Sequence, residues 1–307
     1  MDAQAVDHAE PDVERTAELV HDTARGLELT AAGFRPLRVG NHVVLGSLDG
    51  KVVARVAYTS RRPLEYHAAH LRLVEQLAAA GAPFVAPLCA PCRLRDGRVV
   101  TFWPMHSPAG QVPLEALVEL VSRCHRTEAT GDLTVWDPSV SYLTRWADRL
   151  PMMTARGVPA DVRAFLEEVF LRRVEALAEC WGSLSGEAHP QVLIHGDPHP
   201  PNVVRLGDRT LALIDLDFIE VGPPEVDLCC LWLLFERHDR EPRVADRILA
   251  AYDGAANNLL MAQIYAADEI NELVWLACLW GVVPGADAEL MRRVDNWGDP
   301  TVKWQEF

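Results

Sequence analysis

His195-Gly-Asp-Pro-His-Pro-Pro-Asn202, a hairpin, Leu213-Ile-Asp-Leu-Asp217 and Gly222-Pro-Pro-Glu-Val-Asp227 form the stretch that organises the chain. Asp197 and Asn202 stand five positions apart, in a segment too rich in proline for helix or central strand. Val203–Leu206 and Leu211–Ile214 have strand composition, and the Gly-Asp-Arg-Thr between them has hairpin-turn chemistry. A hairpin folds the chain back, so Asn202 before it and Asp215 after it are expected side by side. Asp197 then lies close to both. Asn202 and Asp215 offer hard oxygens of the kind Mg²⁺ takes together with phosphates. Asp197 is left to orient a hydroxyl and accept its proton.

A protein kinase catalytic loop follows the same order: an Asp base, an Asn five residues later, then a metal-binding Asp beyond a hairpin. Here Gly196 replaces the Arg of the kinase His-Arg-Asp, and Leu216-Asp217 replaces the Phe-Gly after the metal Asp. His-Gly-Asp-x-x-x-x-Asn followed by Ile-Asp resembles the signature of the aminoglycoside phosphotransferase family, relatives of choline and homoserine kinases. The resemblance implies Asp197 as the catalytic Asp, Asn202 and Asp215 as Mg²⁺ ligands, and ATP or GTP as donor. It makes His195 the loop His beneath the metal Asp. It makes Asp227 the later Asp that holds the catalytic loop through its backbone N–H groups. Asp, Asn, Gly and Pro also build ordinary turns, but here four spaced elements stand in matching local settings.

Composition bounds the rest. With 307 residues, 49% of them apolar, the chain can bury a large core in one or two domains. No apolar run has membrane length, and Met1–Glu10 is too polar and acidic for a signal peptide. The seven cysteines are thinly spread, and Cys89-Ala-Pro-Cys92 has no second pair. They read as reduced thiols of a cytoplasmic protein, not as zinc ligands. A net charge of −15 disfavours nucleic acid and anionic membranes and favours cationic small molecules. Only two of the 29 basic residues are lysines, Lys51 and Lys303. Oligomeric state is not legible.

Ahead of the motif, residues from Asp12 to about Leu29 carry Val13, Ala17, Val20 and Ala24 at helical spacing. Phe34–Val39, His42–Gly46 and Lys51–Tyr58 read as strands, with Asp49-Gly50 as a hairpin turn. Gly40 and Asn41 sit where the resemblance implies a phosphate-covering loop. Alternation puts Lys51, Val53 and Arg55 on one strand face; Ala54-Arg55-Val56 resembles the family's strand. Arg55, or else Lys51, is therefore expected to grip the nucleotide phosphates. Pro63–Ala80 reads as a helix ended by Gly81. Alignment with the family's similar helix puts His70 where a Glu usually pairs with the basic residue. Glu65 and Glu75 are each five residues away, about 140° around the helix. Phe84–Leu88 and Leu94–Phe102 are expected to continue the sheet, turning at Asp96-Gly97. Trp103, Pro104 and Met105 are the expected hinge, whose backbone the resemblance assigns to adenine.

Downstream, Leu114–Cys124, Ser141–Arg149, Ala160–Leu184, Glu225–Phe235, Arg243–Tyr252 and Leu260–Trp280 read as helices, and Glu289–Phe307 as an irregular tail. Acids crowd the final third. Among them Asp217, Glu236, Asp268, Glu269 and Glu272 are candidates for binding a cationic substrate; two of the α-helical trio can share a face. The expectation is an α+β, protein-kinase-like, two-lobed fold. It has a small β-rich nucleotide-binding lobe over residues 1–104 and a larger, mainly helical catalytic lobe over 105–307. The implied activity is transfer of a γ-phosphoryl group to a hydroxyl of a small cationic molecule, foremost an aminoglycoside or basic peptide antibiotic. A metabolic kinase for choline, homoserine or a sugar is one alternative. A nucleotide-binding pseudokinase is another. The roughly twelve residues from Asp215 to Asp227 leave no room for the activation loop of a protein kinase.

Overall fold

The computed structural model describes residues 12–29, 31–39, 42–57, 62–184, 189–207, 210–238 and 243–305. Gly40 and Asn41, the expected phosphate loop, lie outside the described residues. The chain divides into two compact units, Met1–Pro108 with Val204–Ala212, and Ala109–Val203 with Leu213–Phe307.

The first unit begins with helix α1 (Val13–Gly26), capped by the Asp12 carboxylate, which accepts from the Arg15 N–H at 2.9 Å. Strands β1 (Phe34–Val39), β2 (His42–Ser47) and β3 (Val52–Ala57) follow, then helix α2 (Leu64–Ala79) and strands β4 (Cys92–Arg93), β5 (Val99–Pro104) and β6 (Ser107–Pro108). The five-stranded sheet runs β1-β2-β3-β5-β4 and is antiparallel throughout. The turn between β2 and β3 is tied by Ser47, whose Oγ accepts from Val52 N–H at 2.9 Å and donates to Asp49 at 2.6 Å. Val52, Ala54 and Val56 face a core with Val20 and Ala24 of α1, Val43, Leu45, Val100 and Phe102. Arg55 is on the opposite face of β3.

Phe84–Leu88 is not a strand. Pro83 and Pro87 remove ladder donors, and the segment only touches the sheet, where Leu88 N–H donates to Phe102 C=O at 2.8 Å. Leu94–Phe102 divides at the expected turn, which Gly97 makes at φ +89°.

The second unit is mainly helical. It contains α3 (Leu114–His125), α4 (Pro138–Ala155), α5 (Ala160–Leu184), β7 (Val192–Ile194) and a 3-10 turn at Pro200–Asn202. The hairpin strands β8 (Val203–Leu206) and β9 (Thr210–Leu213) come next in the chain but belong, from Val204 to Ala212, to the first unit; there β8 lies between β6 and β9 in a small sheet. Then follow β10 (Glu220–Gly222), paired with β7, and α6 (Glu225–Arg237), α7 (Val244–Ala251), α8 (Asn258–Ala277) and α9 (Ala286–Asp295). Helix α8 is apolar on nearly every side because it packs against α4, α5, α6 and α9. Among the described residues, no helix is long and apolar enough to cross a membrane.

The expected irregular tail is partly wrong, since α9 runs through Asp295. Its charges are paired, with Glu289 and Arg293 buried and Arg292 partly exposed. Glu289 accepts from Arg292 at 2.7 Å, Arg293 at 2.8 Å and the Gln305 N–H at 2.9 Å. Trp304 then packs against the guanidinium groups of Arg237 and Arg293.

Candidate active site

Every group of the motif lies in the second unit, and the reason for its placement is local. His195 leaves β7 fully buried. Its Nδ1 accepts from the Asp197 N–H at 3.2 Å, and its Nε2 donates to Ile214 C=O at 3.0 Å. An N–H can only donate and a carbonyl only accept, so Nδ1 is the ring's acceptor here and Nε2 its donor. It thereby links the loop carrying Asp197 to the residue before Asp215. The hairpin supplies a second link, Ile214 N–H to Asn202 C=O at 2.9 Å. Asp215 follows in the left-handed region at φ +64°, a strained setting for a non-glycine residue.

Asn202 is buried. Its Nδ2 donates to the Asp197 carbonyl at 3.0 Å and to Asp197 Oδ2 at 3.2 Å. That orients the carboxamide and leaves Oδ1 without a hydrogen bond among the described residues. Asp227, with no exposed surface, accepts three hydrogen bonds: His195 N–H at 2.9 Å, Gly196 N–H at 2.7 Å and His125 Nε2–H at 3.1 Å. Tyr252 O–H donates to the other nitrogen of His125 at 2.9 Å. A buried carboxylate is tolerable only when so paired.

Gly196 has φ +80°, and a Cβ there would lie 2.7 Å from Phe218 Cβ and 2.8 Å from Phe218 O. Both facts demand glycine at this position.

Around Asp197 stand groups that the motif did not announce. His199 donates from Nδ1 to Asp197 Oδ1 at 2.8 Å. Burial would raise the Asp197 carboxyl, but the bond and charge of His199, aided by His195 and Arg145, bring it below its ordinary value. For His199 burial works downward, and Asp197 outweighs it, so its pKa is raised. Cys230 of α6 reaches Asp197 Oδ1 at 3.9 Å, and burial followed by the neighbouring acids keeps its thiol well above its usual range. His199 stood inside the quoted stretch, two residues past Asp197. Nothing local marked Cys230 or Arg145, which converge on the site only through helix packing.

The candidate acids of α8 part company. Asp268 and Glu272 are one turn apart and both feel the charge of Asp197. Tyr142 O–H donates to Asp268 at 2.6 Å. Burial raises Asp268 to about 6, with Glu272 and Asp197 adding to the rise against Tyr142 and Arg145. Glu272 is likewise raised, first by burial. Glu269 points elsewhere. It is buried against Arg237 in an ion pair, so it leaves the substrate-binding set for a structural one. Glu236 engages the Tyr265 hydroxyl, and Asp217 is exposed beside Phe218. Arg145 of α4 has its guanidinium carbon 4.8 Å from the Phe218 ring centre and 5.8 Å from that of Tyr142.

In the first unit, Arg55 Nη2 lies 3.2 Å from His42 Nδ1, across the β2–β3 pair. Lys51 is largely exposed, with its ammonium 3.6 Å from Asp49. His70 stacks parallel to Tyr66, with centroids 6.5 Å apart, and Glu65 and Glu75 are exposed. Trp103 and Pro104 close β5, Trp103 donating from Nε1 to Thr101 Oγ1 at 2.9 Å. Met105 N–H donates to Lys51 C=O at 2.8 Å.

Solved structures share this fold. A choline kinase from Streptococcus pneumoniae superposes with a TM-score of 0.63 at 11% identity, covering 92% of this chain and 98% of its own. An aminoglycoside phosphotransferase from Streptomyces rimosus gives 0.60 at 17% identity, covering 88% and 99%. A macrolide 2'-phosphotransferase from Brachybacterium faecium gives 0.53 at 19% identity, covering 89% and 96%. No functionally curated protein matches the chain in sequence. The model of the phosphotransferase enzyme family matches residues 34–265. Matched by that model over more than half its length, the chain belongs to the phosphotransferase enzyme family.

Proposed function

We propose that the protein transfers the γ-phosphoryl group of ATP or GTP to a hydroxyl of a small cationic molecule. We propose further that this acceptor is an antibiotic, an aminoglycoside or a basic peptide, so that its phosphorylation confers resistance. The observation that carries the reading is the Asp197–Asn202–Asp215 assembly. Its backbone is held by His195 and Asp227 and by the Ile214–Asn202 hydrogen bond.

Asp197 takes the role of orienting the acceptor hydroxyl and receiving its proton. A carboxyl held below its ordinary pKa is ionised and ready to accept. Asn202 Oδ1 and the Asp215 carboxylate are two hard oxygens, which suits Mg²⁺ that keeps waters and binds substrate phosphates. When bound, that ion neutralises charge on the phosphates. Arg55 or Lys51 is proposed to grip the nucleotide phosphates, with Trp103–Met105 meeting the base. Asp268 and Glu272 support a cationic acceptor, because burial and the charge of Asp197 raise both. A positive group beside them relieves both effects. The seven free cysteines support a cytoplasmic setting.

One observation favours a second reading, a kinase of a quaternary or other alkyl ammonium alcohol. The Trp232 and Tyr265 rings lie 4.3 Å apart between α6 and α8, and Tyr265 is one turn from Asp268.

The test is nucleotide consumption by purified protein with Mg²⁺ and a panel of aminoglycosides, basic peptide antibiotics, choline, homoserine and sugars. Asp197→Ala is expected to abolish turnover while nucleotide binding survives. Undiminished turnover in that variant would sink the assignment. Turnover confined to a metabolite would replace the antibiotic by the second class of acceptor. Nucleotide binding with no turnover on any acceptor would indicate a pseudokinase.

A further inference from the structure

Arg145 is a half-buried arginine of α4. Three carboxylates feel its charge: Asp197, Asp268 and Glu220. Each takes its hydrogen bond elsewhere. Asp197 binds His199 at 2.8 Å, Asp268 binds Tyr142 at 2.6 Å, and Glu220 binds Thr134 at 3.1 Å. Among the described residues Arg145 makes no hydrogen bond and no ion pair. It is held by rings instead, against Phe218 and Tyr142. Stacking fixes the plane of a guanidinium without occupying any of its five N–H donors.

The position of the supporting ring matters. Phe218 presses so closely on Gly196 that no Cβ fits there. Gly196 is the residue before Asp197. Phe218 thus packs its Cβ and backbone on the loop that carries the proposed base and its ring on the guanidinium, whose donors are uncommitted among the described residues.

We propose that Arg145 is a catalytic residue that donates hydrogen bonds to the oxygens of the transferring phosphoryl group, and this rests on the phosphotransfer reading above. In that step the acceptor oxygen bonds to the γ-phosphorus as the bond from that phosphorus to the β,γ-bridging oxygen breaks. The nucleoside diphosphate leaves with the electron pair, and the hydroxyl proton passes to Asp197. Charge spreads over the three equatorial oxygens of the phosphoryl group, where a planar fork of donors is most useful. An anionic group on the acceptor is the competing destination. The phosphoryl charge is favoured because it is present whatever the acceptor, and because the nearby acids suit a cationic acceptor.

The experiment needs no identified acceptor for its main arm. Affinity for ADP and for GDP with Mg²⁺ is measured with and without aluminium fluoride, which imitates the phosphoryl group in flight. Wild type is compared with Arg145→Ala and Arg145→Lys, the lysine keeping charge and bulk where alanine disturbs the Phe218 packing. The diphosphate alone should bind all three alike. The added affinity from aluminium fluoride should fall about 100-fold or more in Arg145→Ala and be only partly kept in Arg145→Lys. With an acceptor in hand, kcat should fall with both KM values unchanged, and guanidinium ion should restore part of the alanine variant's turnover. Full fluoride enhancement in both variants, or a wild type with none, overturns the proposal. A raised acceptor KM at unchanged kcat overturns it too, and moves Arg145 to acceptor binding. A wild type that binds neither diphosphate fails the parent reading itself, a result separate from these.

Discussion

Asp268→Asn should make the protein more stable at neutral pH and a poorer binder of a cationic acceptor. Burial raises the Asp268 carboxyl from 3.8 to about 6. At about 1.4 kcal/mol per unit of pKa, that is an upper value of roughly 3 kcal/mol by which the ionised side chain disfavours the folded state. Asp268 as a residue is only partly buried, and solvent screening reduces the figure to about 1–2 kcal/mol. The sign follows from linkage. A folded pKa above the unfolded one means the native state holds the proton more tightly. The wild type is therefore most favoured below pH 3.8 and loses stability as pH rises through about 6. Asparagine keeps an oxygen for the Tyr142 O–H at the same place and never ionises. The urea midpoints of the two proteins should nearly coincide at pH 4 and separate towards pH 7, with the variant above. A constant difference across that range, or a variant less stable at pH 7, would refute the reasoning. Weaker acceptor binding by the more stable protein would identify the strain as serving function.

Gly196→Ala places a methyl group 2.7 Å from Phe218 Cβ on a residue at φ +80°. It should lower stability by about 2 kcal/mol or more and abolish turnover, read by thermal unfolding and nucleotide consumption. Asp227→Asn keeps one acceptor but turns an N–H₂ towards donors now held at 2.7 to 3.1 Å. A loss of about 2–4 kcal/mol is expected, with kcat falling more than nucleotide affinity. Unchanged kcat would show that the loop holds its shape without that carboxylate.

The parts legible in the sequence were those whose causes lie within a few residues. Asp49-Gly50 and Asp96-Gly97 announce turns because few other pairs adopt them. The stripes of α1 and α5 announce helices because burial follows the helical period. The motif from His195 to Asp227 was legible because a hairpin brings Asn202 and Asp215 together without help from the rest of the chain. Errors arose where a distant partner decided. Glu269 resembled Asp268 and Glu272 in sequence, yet Arg237 on α6 claims it. Glu289–Phe307 read as an irregular tail, yet α9 runs to Asp295, where Glu289 pairs with Arg292 and the buried Arg293. Phe84–Leu88 looked like a strand by composition, and its prolines outweighed that composition.

The departures of the motif from the kinase pattern explain one another once they are placed in space. The sequence shows Gly196 where a kinase loop has arginine, and Leu216-Asp217 where it has Phe-Gly. Taken singly, each looks like loss. In the structure the missing side chain at Gly196 is what admits Phe218, the first residue after the altered pair. Phe218 in turn supports Arg145 from α4. A cation absent from the loop's own sequence thus packs, from α4, on the residue that packs on the loop, and among the described residues it makes no hydrogen bond to a carboxylate. Gly196→Ala and the Arg145 variants therefore test two ends of one arrangement. If the arrangement is real, Phe218→Leu, which keeps the arginine but removes its supporting ring, should lower kcat less than Arg145→Ala and leave nucleotide affinity unchanged.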